Sequence, residues 1–201
     1  MEDIFRTIAK PSEGLFKDKG SRFISFALPV NSEEEIKEII QSIKKEHHSA
    51  RHHCYAWRLG AINPVFRVND DGEPSSTAGK PILGQIQSFE LTNILIVVVR
   101  YFGGTLLGVS GLINAYRNAA LDAINNAQIE ERIIEKTFLI EFDYAVMNDV
   151  MKIFKDEKLP QVDPQYDLSC SVKTAVRLSE SERIEKSLLK IDGLKFNVLA
   201  E

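Results

Sequence analysis

The chain has 201 residues, 44% of them hydrophobic and 27% charged, the balance of an ordinary globular protein long enough to bury a sizeable core. No apolar run approaches the ~18 residues that a membrane span needs. The start, Met1-Glu2-Asp3-Ile4, lacks a signal peptide's basic and apolar regions, and the two cysteines, Cys54 and Cys170, make no disulfide framework, so a cytoplasmic, reducing location is expected. Net charge is −4, shared equally by residues 1–135 and 136–201, so any contact with nucleic acid has to come from a local patch rather than a basic domain.

Pro11, Gly14 and Gly20 break the first segment into strands at 4–9, 14–17 and 22–28, the last apolar on both faces and therefore buried. Asn31-Ser32 before Glu33, Glu34 and Glu35 is a capped helix start with acids in its first turn. Ile36, Ile39, Ile40 and Ile43 form the buried stripe of that helix as far as about His48, and Lys44, Lys45, His47 and His48 complement its dipole. Strands are expected at 53–59 and 65–68, with a turn at 69–72. Thr77 is placed to cap a helix over about 78–89, with Gly79 and Pro81 in its first turn.

A wholly apolar run, 94–99, then ends in Arg100-Tyr101-Phe102. Gly103, Gly104, Gly108 and Gly111 follow, and helical spacing returns at Leu112, Ile113, Tyr116, Ala119, Ala120 and Ile124. Buried strand, glycine loop and helix in that order leave backbone N–H groups at a helix start, where an anion can sit. A strand at 129–134 ends the first unit. The second unit reads as a strand at 136–143, a helix at 145–158 stopped by Pro160, strands at 161–167 and 168–177, a helix capped by Ser179, and a strand at 194–199. That β-α-β-β-α-β order is the ferredoxin-like pattern.

Three motifs occur in sequence: Asp70-Asp71-Gly72-Glu73-Pro74-Ser75, Thr77-Ala78-Gly79-Lys80-Pro81-Ile82-Leu83, and Val99-Arg100-Tyr101-Phe102-Gly103-Gly104-Thr105. Lys19-Gly20-Ser21-Arg22-Phe23 and Ala50-Arg51-His52-His53-Cys54-Tyr55-Ala56 precede them. In these stretches the chain resembles the Impact family of translation regulators, in its bacterial YigZ-like branch. The resemblance implies a two-domain α+β protein. Residues 1–130 would form an Impact-type N-terminal domain with the fold shared by a small-subunit ribosomal protein domain and domain IV of elongation factor G. Residues 136–201 would form a ferredoxin-like domain similar to that factor's domain V. It also implies a non-enzymatic regulator working through RNA, the ribosome or a regulatory protein partner, with no metal, cofactor or membrane. The eukaryotic branch competes for an activator of the kinase that senses amino-acid starvation, but its second domain differs, so that partner is not carried over. Leu106, Ser110, Asn114 and Ser76 stand where the family pattern carries Lys, Gly, Arg and Gly, which removes two cations from beside the loop.

The residues expected to bind are Asp70, Asp71, Gly72, Glu73, Ser75, Thr77 and Lys80 from the acidic motif and the stretch after it, and Arg100, Tyr101, Phe102, Gly103, Gly104 and Gly108 from the glycine loop. Asn-Asp-Asp-Gly is also simply a tight turn, whereas an arginine ending an aliphatic run needs a partner, here Asp70, Asp71 or Glu73. Lys17, Lys19, Arg22, Arg58, Arg67 and Lys80 with Tyr55 and Trp57 offer a basic, stacking face for RNA, although scattered solvated charges account for the same residues. His47, His48, His52, His53 and Cys54 lack a recognised metal spacing, and no catalytic nucleophile stands out, Cys54 reading as an inert core thiol. The alternative function is a small-molecule enzyme or phosphate-ligand binder using the loop at 103–111. That loop is not a P-loop, because no Gly-Lys-Ser/Thr follows.

Overall fold

The computed structural model describes residues 3–167 and 169–200. The chain divides into two compact units, one from Phe5 to Arg132 and the other from Ile133 onward together with the residues preceding Phe5.

The first unit contains strands β1 (Ile4–Ile8), β2 (Ser12–Asp18), β3 (Ser21–Pro29), β4 (His52–Leu59), β5 (Val65–Asn69), β6 (Ile94–Tyr101) and β7 (Ile129–Ile133), and helices α1 (Glu33–Glu46), α2 (Gly79–Ser88) and α3 (Gly108–Asn125). β1 and β7 form a two-stranded ribbon, and the other five make a sheet in the order β2-β3-β6-β4-β5 whose neighbours are all antiparallel. β6 runs up the middle, which explains its unbroken apolar sequence. Ile94, Ile96 and Val98 join α2 and α3 in one core, while Leu95, Val97 and Val99 join α1 in the other. A strand covered on both faces has no polar side to alternate with. Gly14 on β2 admits α3, since a Cβ there would run into the helix backbone at Ala123. α1 begins on Ser32, whose Oγ accepts from the Glu35 amide, while the Glu35 carboxylate accepts from the amide of Asn31, one residue before the cap.

The second unit contains β8 (Glu135–Asp143), α4 (Met147–Asp156), β9 (Val162–Tyr166), β10 (Ser169–Arg177), α5 (Leu178–Leu188) and β11 (Lys195–Ala200). Its sheet order is β11-β8-β10-β9 with antiparallel pairs. Phe138, Ile140, Phe142, Val172 and Val176 alternate inward from the sheet against Val150 and Phe154 of α4 and Ile184 and Leu188 of α5.

Two capping expectations are corrected. Ser179 does not cap α5: the N-cap is Arg177, and Ser179 lies in the first turn with its hydroxyl donating to Asp3. Thr77 does not cap α2, whose N-cap is Ala78, and its hydroxyl instead donates to the Pro74 carbonyl. The expected strand start at Leu168 lies outside the described residues.

Candidate binding site

The turn after β5 does more than reverse the chain. Asp71 and Gly72 take left-handed backbone conformations, with φ of 40° and 87°. This fans the three carboxylates of the motif in different directions. Asp70 turns toward α2 and accepts from the amides of Ser76 (2.8 Å), Ala78 (3.0 Å) and Gly79 (2.8 Å), so it does the work that Thr77 leaves undone at the helix start. Asp71 turns toward β4 and α1, accepting from the His53 amide at 2.7 Å and from Lys44 Nζ at 3.0 Å. Glu73 turns into the core beneath β6.

Burial pushes the Asp71 carboxyl up, but the His53 N–H and Lys44 outweigh it and hold the pKa below its ordinary 3.8. A depressed folded-state pKa means stabilisation that is complete above the unfolded value and lost as pH falls through the folded one. The urea midpoint of wild type should therefore exceed that of Asp71→Asn by a constant margin above about pH 5, closing below about pH 4. Ser76 has φ 65°, in the left-handed region that favours glycine. Ser76→Gly keeps the amide bond to Asp70 and relieves the Cβ, so it should raise stability by about 1 kcal/mol in urea melts.

Glu73 and Arg100 form a buried ion pair, Nη1 to Oε1 at 2.7 Å, with side-chain exposures of 4% and 6%. Arg100 thus pairs with Glu73, and neither Asp70 nor Asp71 is its partner. Tyr116 of α3 donates to the same carboxylate oxygen at 2.8 Å, and the single proton of the Cys54 thiol has two acceptors in reach, the Asp70 carbonyl (3.0 Å) and the Tyr116 hydroxyl (3.3 Å). Burial pushes the Cys54 thiol far above its ordinary range, with the neighbouring carboxylates adding to it, and burial raises Tyr116 in the same way. Neither group ionises near neutrality, so Cys54 is no nucleophile in this setting. The Arg100 guanidinium also stacks against Phe23 and Phe102, at 5.5 and 5.6 Å from the ring centroids.

The glycine loop is tied down at one point. Gly103 donates to Ser21 Oγ, and a Cβ at Gly103 would run into the Gly20 and Ser21 backbone. Gly104 and Gly108 have positive φ (86° and 69°) and open space around them. Between this loop, the start of α3 and the acidic turn lies a cavity of about 380 Å³. Glu73 and Arg100 form its buried floor, Pro74, Phe102, Leu107 and Leu112 give apolar walls, and Arg51 and His52 stand at its rim.

Of the residues singled out from sequence, Glu73, Arg100, Phe102 and Gly108 line the cavity. Asp70, Asp71, Gly72, Gly103 and Gly104 shape the loops beside it. Tyr101 accepts or donates at His47 Nδ1 (2.8 Å), with Arg22 over its ring. Ser75 and Lys80 are exposed, while Thr77 is buried. The broad basic face does not assemble. Arg58 lies at the opposite end of β4, paired with Ile94, Arg67 faces Glu33, and Trp57 is 4% exposed in the α1-side core and cannot stack on a base. Sequence reasoning missed Tyr116 as a ligand of Glu73; its place on the inward stripe of α3 was visible, but its hydroxyl's partner was not.

The Impact N-terminal domain profile matches residues 19–124, more than half of the chain and every residue of this site. This chain belongs to the Impact family. The chain is 30% identical to the IMPACT family member YvyE of Bacillus subtilis over 192 residues, 96% of this chain and 88% of that one. It is 38% identical to the IMPACT family member YigZ of Escherichia coli over 134 residues, 66% of each. A crystal structure of a hypothetical protein superposes over the full length of both chains with a TM-score of 0.74 at 27% identity. No described helix of this Impact protein is long and apolar enough to cross a membrane.

Proposed function

We propose that this Impact-family protein is a non-enzymatic translation regulator that holds single-stranded RNA, free or on the ribosome, at one end of its five-stranded sheet. The observation that carries the reading is the convergence of exposed cations there. Arg22 pairs across the sheet with Tyr101, and His52 with Arg100, so the start of β3, the end of β6 and the start of β4 lie side by side. Lys19 sits in the hairpin against Gly103, Arg51 precedes β4, and Lys45 is in the last turn of α1, whose His47 bonds Tyr101. Lys19, Arg22, Lys45 and Arg51 are exposed, and Phe102, which shares the cavity with Arg51, is half exposed. Asp18 and Glu46 share this end, but Asp71 and Glu73 are engaged by Lys44 and Arg100. Cations that track phosphates next to an aromatic face are what single strands bind without a sequence code.

The fate of the acidic motif supports binding over catalysis. Asp70 caps a helix, Asp71 ties β4 to α1, and Glu73 neutralises Arg100, which leaves none of them poised for proton transfer. The β11-β8-β10-β9 order supports reading the second unit as a ferredoxin-like domain similar to domain V of elongation factor G, and the first as its domain IV-like partner, by analogy.

Titration of a labelled oligouridylate and co-sedimentation with ribosomes at several salt concentrations test this reading. Affinity should fall with salt with a log–log slope of about −2.8, some −0.7 for each of the four cations. Arg22→Glu with Arg51→Glu should weaken binding by at least about tenfold and flatten the slope by about 1.4. Binding that ignores salt, or that survives both substitutions, overturns it.

A further inference from the structure

We propose that the cavity between the acidic turn and the start of α3 binds a small organic anion: one oxyanion group, carboxylate or phosphate, carried on an apolar body. This goes beyond RNA binding on the outer face and does not depend on it. A guanidinium offers two edges to acceptors, and Glu73 takes only Nη1 of Arg100. The other edge is the Nε–Nη2 fork, the one that holds carboxylates and phosphates with two parallel bonds. The Nε–H on that edge is buried and has no acceptor among the described residues. Buried polar hydrogens are almost always satisfied, so an unpartnered Nε–H on a side chain that lines a cavity points to an acceptor bound there. Phe23 and Phe102 both pack against the guanidinium, and Phe102 lines the same cavity as Arg100.

The helix start is the second, independent feature. α3 runs for 18 residues, its N-cap is Leu107, and no side chain caps it. Gly108 and Val109 of its first turn line the same cavity, where the uncapped N–H groups and the helix dipole favour negative charge. Arg51 at the rim is a second cation, and the single buried carboxylate, Glu73, is already paired with Arg100. The walls decide the rest of the ligand. Phe102, Leu107 and Leu112 bring apolar surface around the charged floor, and Leu106 (81% exposed) and Val109 (60%) extend it at the mouth. A volume of about 380 Å³ is at the small end of ligand pockets. A free inorganic ion would leave these walls bare, whereas an aryl or branched aliphatic group would cover them.

Titration of the isotope-labelled full chain, free of nucleic acid, with phenyl phosphate, benzoate, benzyl alcohol and inorganic phosphate tests the assignment, read from the Gly108 and Val109 amide shifts. At least one aryl anion should saturate, with benzyl alcohol and inorganic phosphate each at least tenfold weaker; which aryl anion wins distinguishes a phosphate from a carboxylate ligand. Val109→Trp fills the mouth without removing a buried contact and should weaken the bound anion at least tenfold at an unchanged urea midpoint. Arg100→Lys keeps the charge and loses the fork, so the folded variant should also bind the anion at least tenfold more weakly, at a lower urea midpoint. Neither aryl anion saturating, benzyl alcohol binding equally well, or folded Val109→Trp retaining full affinity overturns the proposal. Loss of RNA binding with anion binding intact would overturn only the RNA reading.

Discussion

Glu73→Gln should cost about 3–5 kcal/mol of stability, because it strips the counter-charge from a buried Arg100 while leaving an acceptor for Tyr116. Few single changes in this chain should cost as much, since few remove a charge from the core. Arg100→Met should cost a similar amount by leaving Glu73 buried and unpaired. Glu73→Gln with Arg100→Met should be less damaging than the two single losses added together, because the double variant contains no uncompensated buried charge. Urea denaturation of all four proteins measures the coupling. Additive losses, each below about 1 kcal/mol, would mean that the pair is solvated in solution and that the core does not depend on it.

Asp70→Ala should cost about 3 kcal/mol. It removes one charged acceptor from three backbone amides at once, and hydrogen bonds to charged groups contribute about 1.5–3 kcal/mol each, with partial replacement by water at this half-buried site. The loss should be local before it is global. Hydrogen exchange at Ser76, Ala78 and Gly79 should accelerate more than in the β6 strand, because the first turn of α2 loses its cap while the sheet is untouched. Asp70→Asn retains an acceptor oxygen without the charge and should recover part of the loss. Equal loss in Asp70→Asn and Asp70→Ala would show that charge rather than hydrogen bonding holds the turn. No measurable effect of either would place the helix cap elsewhere.

These two substitutions also mark where the sequence could be read and where it could not. The apolar run at 94–99 announced a strand with no exposed face, and the sheet with α1 on one side and α2 and α3 on the other is why it has none. Arg100 at its end announced a need for an acid, because a guanidinium leaving a buried strand must be paired. Which of Asp70, Asp71 and Glu73 would answer was not legible. The left-handed backbone at Asp71 and Gly72 decides it, aiming three nearby carboxylates at a helix, at a strand and into the core. Thr77 and Ser179 looked like caps by residue type, yet Ala78 and Arg177 hold the N-cap positions and Asp70 supplies the acceptor at the start of α2, since capping depends on where the chain arrives from. The cationic end of the sheet was hidden for a related reason. Lys19, Arg22, Lys45 and Arg51 come from three separate stretches, and only the antiparallel register of β3, β6 and β4 brings those stretches to one end.

If RNA binds this Impact protein as proposed, it meets the end of the sheet where β3, β6 and β4 converge. Amide shift mapping of the full chain with a short oligouridylate tests that directly, at low salt and again at physiological salt. The account predicts shifts confined to Lys19–Arg22, Lys45–His52 and Phe102–Gly104, reverting as salt rises. Shifts centred on β5 or α2, or none at any salt, would contradict it.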